Sequence, residues 1–307
     1  RSVSRGLGDV YKRQIVDKGQ IFQTIHAMKS GKEVIAAIAP AFVGQFGASV
    51  TPEKVKGALK ALGFADVVEV AIGADLCTVE EAEDFLNKVP EQQPFMATSC
   101  CPAWSVMAKK LFPDFKPYIS MALTPMVLTG RLIKKQKPDA KVVFIGPCAA
   151  KKLEASRKSV RSDIDFVLTF EEVMGMFEAK GIVLEQAMVD EPFAEGTANG
   201  RGFAVSGGVA SAVKQCIQKE HPDKEVLIDS AEGLKNCKTM LMMAKAGKRN
   251  GYLLEGMACP GGCVAGAGTL QPVMKSSALV KKYTNEAEKK LAFESEYLEN
   301  LALITKE

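Results

Sequence analysis

No run of this 307-residue chain approaches the roughly 18–20 consecutive apolar residues that a membrane-crossing helix needs, so a transmembrane reading is excluded. Basic residues do not gather along its body either. Of a net charge of +4, most lies in the first fourteen residues, where Arg1, Arg5, Lys12 and Arg13 face only Asp9. Neither nucleic acid nor a membrane surface is therefore an expected partner. Residues 1–14, RSVSRGLGDVYKRQ, lack both an apolar segment and a small-residue cleavage site, and so make no secretory signal. They resemble a translated sequencing-adapter peptide and are set apart as non-native. No internal repeat and no long linker divides the rest. With 47% hydrophobic and 25% charged residues the chain is neither disordered nor collagenous. The two histidines, His26 and His221, stand away from every motif and take no role.

What the chain does have is eight cysteines, at 77, 100, 101, 148, 216, 237, 259 and 263. With no secretory signal, and with Cys100–Cys101 a vicinal pair poorly placed to bridge, they read as metal ligands or catalytic thiols in a reducing cytoplasm.

Apolar, β-branched runs at Lys32–Ala41, Ala65–Ile72, Phe95–Ala97, Lys141–Ile145, Asp165–Leu168 and Tyr252–Met257 predict strands. Between them, Thr51–Leu62, Thr78–Val89, Pro102–Leu111, Ala122–Lys135, Phe170–Lys180 and Gly207–Lys219 predict helices, Thr78 and Glu81 forming a capping box. Met274–Leu303 is expected to be largely helical. The alternation predicts an α/β fold of two tightly joined lobes, each a parallel or mixed sheet flanked by helices. Residues 15–275 form the domain and 276–307 a helical C-terminal tail.

Cys100, Cys101, Cys148 and Cys259 each follow a predicted strand, where α/β sheets bind ligands. Cys259-Pro-Gly-Gly-Cys263 adds two thiols around glycines that permit positive φ and a close approach of backbone N–H groups to a ligand. Cys101, Cys148, Cys259 and Cys263 make a four-thiolate set suited to a 4Fe–4S cluster, to zinc, or to plain burial. The scattered spacing tilts toward iron–sulfur. Cys77, Cys216 and Cys237 lack partners at ligand spacing and read as packing. Met240–Met243 reads as helix core. Lys134-Lys135 and Lys151-Lys152 are too short for basic patches, though the second pair could help dock an acidic redox partner.

Three segments carry a resemblance. Thr98-Ser-Cys-Cys-Pro-Ala-Trp104, Gly146-Pro-Cys-Ala-Ala-Lys-Lys-Leu-Glu154 and Glu255-Gly-Met-Ala-Cys-Pro-Gly-Gly-Cys-Val-Ala-Gly-Ala-Gly268 resemble, in order, the signature loops of the iron-only (FeFe) hydrogenases. Ala39-Pro40-Ala41, Gly73-Ala-Asp75 and Phe203-Ala-Val-Ser-Gly-Gly-Val209 extend the likeness over roughly residues 30–275. The resemblance implies a 4Fe–4S cubane on Cys101, Cys148, Cys259 and Cys263. Cys263 would bridge to a diiron subsite with CO, cyanide and azadithiolate ligands. Lys151 would donate to a cyanide, and Ala39, Pro40, Gly146, Pro147, Phe203, Met257, Gly261 and Gly262 would line the cofactor. Cys100 would carry protons between the subsite and a relay through Glu81, a serine and Asp84. The implied activity is reversible H2 oxidation, with ferredoxin or another electron carrier and the hydrogenase maturation proteins as partners.

The chain departs from the pattern at several points. Gly146 stands where the best-known catalytic members carry methionine, and Met126 and Val127 replace a polar pair. Asp84 replaces a glutamate. Met121 takes the relay serine's place, with Ser120 one residue away. These changes resemble sensory or divergent branches, so an H2 sensor and a non-catalytic hydrogenase-like iron–sulfur scaffold stand as alternatives.

Overall fold

The computed structural model describes residues 19–305, so the 1–14 peptide lies outside the described residues. Its strands are β1 (Val34–Ile38), β2 (Asp66–Glu69), β3 (Phe95–Ala97), β4 (Lys141–Gly146), β5 (Phe166–Thr169), β6 (Leu227–Glu232) and β7 (Tyr252–Met257). They form two sheets, ordered β2-β1-β4-β5 and β3-β7-β6, and every pairing within them is parallel. The expected two-lobed α/β architecture is present.

Helices cover both faces of each sheet, which explains why the strands read as unbroken apolar runs. Along β1 the side chains alternate between two cores. Val34, Ala36 and Ile38 face one cluster with Phe42 and Phe170, while Ile35 and Ala37 face another with Val142 and Phe144. The second sheet repeats the arrangement, with Met96 and Leu253 on one side and Phe95, Ala97 and Leu254 on the other.

Two expected boundaries move. β2 stops at Glu69, the partner of Ile38, and the chain turns at once into a helix over Ala71–Lys88. Every residue from Ala71 to Thr78 is buried, so no polar face marks the helical period there and the run imitates a strand. Thr78 is consequently mid-helix rather than a cap, and its hydroxyl donates to the Ala74 carbonyl at 2.8 Å. The chain's end is less regular than expected. A helix over Val273–Glu286 is followed by short 3-10 turns and Leu301–Thr305. β6 and the short Ala198–Gly202 helix have no counterpart in the sequence reading. β6 is half-exposed and carries polar residues, which hides its period.

A buried ion pair ties the carboxyl end of β2 to the helices around it. The Arg201 guanidinium donates to Glu69 from Nε at 3.1 Å and from Nη2 at 3.2 Å, and to the Phe193 carbonyl at 2.7 Å. It lies 3.9 Å from the Tyr283 ring centre. Truncation of one partner strands the other charge in the core. Arg201→Met is expected to cost about 3–5 kcal/mol in denaturant unfolding, and Glu69→Gln with Arg201→Met to recover part of it. An unchanged midpoint for the single variant would show that the pair adds nothing.

Candidate metal cluster site

Four thiols approach one space from the two sheets. Cys101 follows β3 and caps the Pro102–Leu111 helix. Cys148 follows β4, ahead of the Ala150–Ala155 helix. Cys259 and Cys263 follow β7. The loop carrying the last two needs its glycines. Gly261 and Gly262 have φ of 98° and 95°, and a Cβ on Gly262 would fall 2.6 Å from the Ser206 nitrogen. Their N–H groups, expected to serve a ligand, have acceptors within the chain. Gly261 donates to Glu232 at 2.9 Å and Gly262 to the Cys259 carbonyl at 3.0 Å.

Burial pushes the thiols of Cys148, Cys259 and Cys263 upward, and each is raised further by other members of the set, Cys101 included. They surround a shared volume without converging on one point. Among the described residues no three His, Cys, Asp or Glu side chains are grouped to hold a single metal ion. Four sulfurs around a wider space fit a cluster, whose irons sit between its ligands, and all eight cysteines are unpaired.

Beside the thiols opens a cavity lined by Cys100, Cys101, Cys148, Cys263 and Lys151 together with Ala39, Pro40, Pro147, Phe203 and Met257. Met126 and Phe144 also line it, whereas Cys259, Gly146, Gly261 and Gly262 stand off its wall. Phe144, not singled out from sequence, owes its place to Gly146. A Cβ at 146 would lie 2.5 Å from the Phe144 Cε1 atom.

Lys151 is the cation at this wall. Its ammonium donates to Glu154 at 2.7 Å and to the Cys100 carbonyl at 3.2 Å. Burial lowers its pKa, but Glu154 outweighs that and the net shift is upward. Glu154 in turn accepts from the Thr124 hydroxyl at 2.7 Å. Sequence reasoning assigned neither residue a role, although a carboxylate three residues after a lysine on a helix was a usable signal.

Cys100 is buried, and its thiol is raised well above the usual range, first by desolvation and then by Glu81. Glu81 is wholly buried with no hydrogen-bond partner for either oxygen. Desolvation lifts its pKa to about 8, tempered by the nearby Ser120 hydroxyl and Ser99 backbone. The solvated helix face that a capping-box reading gives Glu81 is thus absent. The serine beside Glu81 is Ser120, while Met121 points outward at 76% exposure. Asp84, one turn on, reaches the surface and pairs with Lys88 at 2.8 Å. Cys77 is buried on the same helix within electrostatic reach of Glu81 and Cys100. Cys216 and Cys237 are buried, and burial raises each thiol to about 11.

Parallel α/β lobes that bring four thiols beside an apolar cavity are an architecture suited to holding an iron–sulfur cluster. The chain belongs to the family of the iron only hydrogenase large subunit, C-terminal domain, which it matches over residues 32–267. It is 32% identical to the periplasmic [Fe] hydrogenase large subunit of Nitratidesulfovibrio vulgaris, over 80% of this chain and 70% of that one. It is 28% identical to a probable cytosolic Fe-S cluster assembly factor of Culex quinquefasciatus, over 73% and 58% respectively. In structure it resembles apo [FeFe]-hydrogenase from Chlamydomonas reinhardtii, with a TM-score of 0.74, 23% identity, and 92% and 93% of the two chains covered. That likeness shows the fold.

A carboxyl whose pKa rises on folding contributes stability that is full below its unfolded value and lost as pH climbs through the folded one. For Glu81 that window runs from 4.5 to about 8. Glu81→Gln is therefore expected to melt above wild type in cluster-free protein. The gap should widen by up to about 1.4 kcal/mol per pH unit across the window and stay level beyond it. A gap independent of pH would mean that Glu81 does not titrate there.

Proposed function

We propose that Cys101, Cys148, Cys259 and Cys263 hold a 4Fe–4S cubane, that Cys263 also bridges to a diiron subsite with CO, cyanide and azadithiolate ligands in the cavity, and that the domain interconverts H2 with protons and electrons. The observation that carries this reading is the joint presence, in the lining of the cavity beside these thiols, of the Lys151 ammonium and the Cys100 thiol.

When bound, the cluster supplies redox-active iron, a Lewis-acid position and an amine base. The chain supplies the rest. Lys151, held by Glu154, offers a charge-assisted donor to an anionic ligand. The apolar wall of Phe144, Met126, Phe203 and Met257 keeps water out. Cys100 exchanges a proton with the cavity and passes it toward Glu81, whose unpaired oxygens and raised pKa suit a group that alternates between neutral and charged. Ser120 stands beside Glu81, and Asp84 takes the proton on to the surface.

The relative named as an assembly factor supports a second reading, a non-catalytic iron–sulfur scaffold, and Gly146 supports a third, an H2 sensor. To separate them, anaerobically reconstituted protein is treated with a synthetic diiron azadithiolate complex and its infrared spectrum recorded with and without H2. CO and cyanide bands that shift under H2 are expected. An intact cubane with no such bands would overturn the hydrogenase reading in favour of the scaffold. Cys100→Ala should keep the bands but lose roughly 100-fold or more in turnover, the scale of a general acid–base group. Unchanged turnover would remove Cys100 from the relay.

A ferredoxin or similar acidic carrier fits one face. Lys152 is not available for it, being buried and bonded to Glu172 at 2.7 Å. Instead folding brings Lys109 of the Pro102–Leu111 helix near Lys116 of the following 3-10 segment and Arg157, just past the Ala150–Ala155 helix. Burial lowers the Lys109 pKa, and Arg157 and Lys116 lower it further. The basic residues scattered in sequence thus do form a local patch. Eight unpaired cysteines favour a reducing cytoplasm, where maturation proteins would install the diiron subsite. Lys109→Glu with Arg157→Glu should raise KM for an acidic ferredoxin at low salt by roughly three- to ten-fold, and leave turnover with a small dye unchanged. An equal loss with the dye would refute docking there.

A further inference from the structure

The loop that supplies two of the four thiols is tied to a residue outside every motif. Glu232 ends β6 beside Met257 of β7, and its Oε2 accepts the Gly261 N–H at 2.9 Å. Gly261 stands between Cys259 and Cys263, and its own carbonyl accepts the Ser206 N–H at 3.3 Å. The same corner is braced by the Gly233 N–H, which donates to the Met257 carbonyl at 2.8 Å. Among the described residues no lysine or arginine lies within ion-pair distance of Glu232.

From this geometry we infer that Glu232 is a positioning residue that lowers the reduction potential of the cluster held by the Cys259–Cys263 loop. The inference rests on the four-cysteine cluster reading and extends it to the control of the cluster's potential.

Two effects act in the same direction. Reduction adds an electron to a cluster that is already anionic, and an uncompensated carboxylate bonded to its ligand loop opposes the added charge. The second effect concerns hydrogen bonds. Donors aimed at cluster sulfurs favour the reduced form and raise the potential. Pro260 has no N–H to give, Gly262 donates to Cys259, and Glu232 withdraws the N–H of Gly261. Glu232 therefore both places a charge near the cluster and removes a donor from it. Because its side chain is exposed, the electrostatic part is open to screening by salt.

The test needs no diiron subsite. Protein reconstituted with its cubane alone is titrated potentiometrically, with the reduced cluster followed by electron paramagnetic resonance. Glu232→Gln keeps an acceptor for Gly261 and removes the charge, so its midpoint should lie positive of wild type. That difference should shrink by roughly half or more between 0.05 M and 0.5 M salt. Glu232→Ala, which also frees the Gly261 N–H, should lie at least as far positive. Glu178→Gln, at an exposed position of the Phe170–Lys180 helix in the other lobe, should match wild type. Should Glu232→Gln fail to retain a cluster, Glu232→Ala carries the same comparison with wild type at both salt concentrations. A Glu232→Gln midpoint equal to wild type at low salt, or a difference from wild type that salt does not shrink, overturns the role of Glu232 while the cluster stands. Absence of a four-iron signal from wild type overturns the cluster reading and this inference with it.

Discussion

Parallel pairing is the constraint from which the site follows. A parallel strand cannot be joined to its neighbour by a tight turn, so each connection must cross the sheet, and the loops leaving the strands' carboxyl ends collect along one edge. Here two such edges face each other. β4 of the larger sheet brings Cys148 and Lys151, while β3 and β7 of the smaller bring Cys101, Cys259 and Cys263. No single loop holds a complete ligand set. The space between the sheets exists only when both lobes are packed, which couples the site's geometry to the whole fold. The loops are also bonded to one another. Gly268 donates its N–H to the Pro147 carbonyl at 2.9 Å, and Val264 donates to Ala204 at 3.2 Å, so the third thiol-bearing loop is registered against the second and against the Phe203 segment.

An apolar interface that encloses charged groups must settle each of them, and the chain does so in different ways. Lys151 is matched by Glu154, which is itself bonded to Thr124. Glu255, buried on β7, takes the N–H groups of Gly207 and Ala210 at 2.8 Å each and so caps the Gly208–Glu220 helix from a neighbouring element. Burial still raises its pKa to about 7. Glu81 is the exception. Neither of its oxygens has a hydrogen-bond partner, burial lifts its pKa to about 8, and it stands within electrostatic reach of the Cys100 thiol.

How much of this could be read beforehand depended on whether a signal was local. Pro102 after Cys101, and Thr169 ahead of Phe170, mark helix starts in any context, and those helices lie where the sequence places them. The Cys259–Cys263 loop stood out because spacing and turn chemistry travel together there, and its two thiols do lie within electrostatic reach of Cys101 and Cys148. Ala71–Thr78 failed the same test, since a helix buried on all sides shows no period. Ser120 was hidden for another reason. The family pattern puts Met121 at the serine's place, whereas the Ser120 N–H is bonded to the Ala97 carbonyl at 2.7 Å and that side chain, not that of Met121, lies buried. Glu232 could not be seen at all, because its relation to Gly261 exists only through the pairing of β6 with β7.

The choice between a working hydrogenase site and a decayed one turns on what each residue costs where it stands. The missing side chain at 146 would leave a hole in a decayed pocket. Instead the Phe144 ring fills it, within contact distance of where a Cβ would meet Ala39, and the wall remains apolar and closed. Lys151 by itself decides little, because Glu154 satisfies it without any ligand. Glu81 is different. A buried carboxyl whose pKa burial lifts to about 8 costs free energy that a well-packed apolar residue would not, and holding a cubane on four thiols gives no return for it. The same holds for a free thiol at Cys100 next to Cys101. A scaffold gains nothing from either group, whereas a chain that moves protons out of a dry cavity requires both. The retained cost of Glu81, set beside Cys100 and Ser120, is the physical ground for preferring proton traffic over storage.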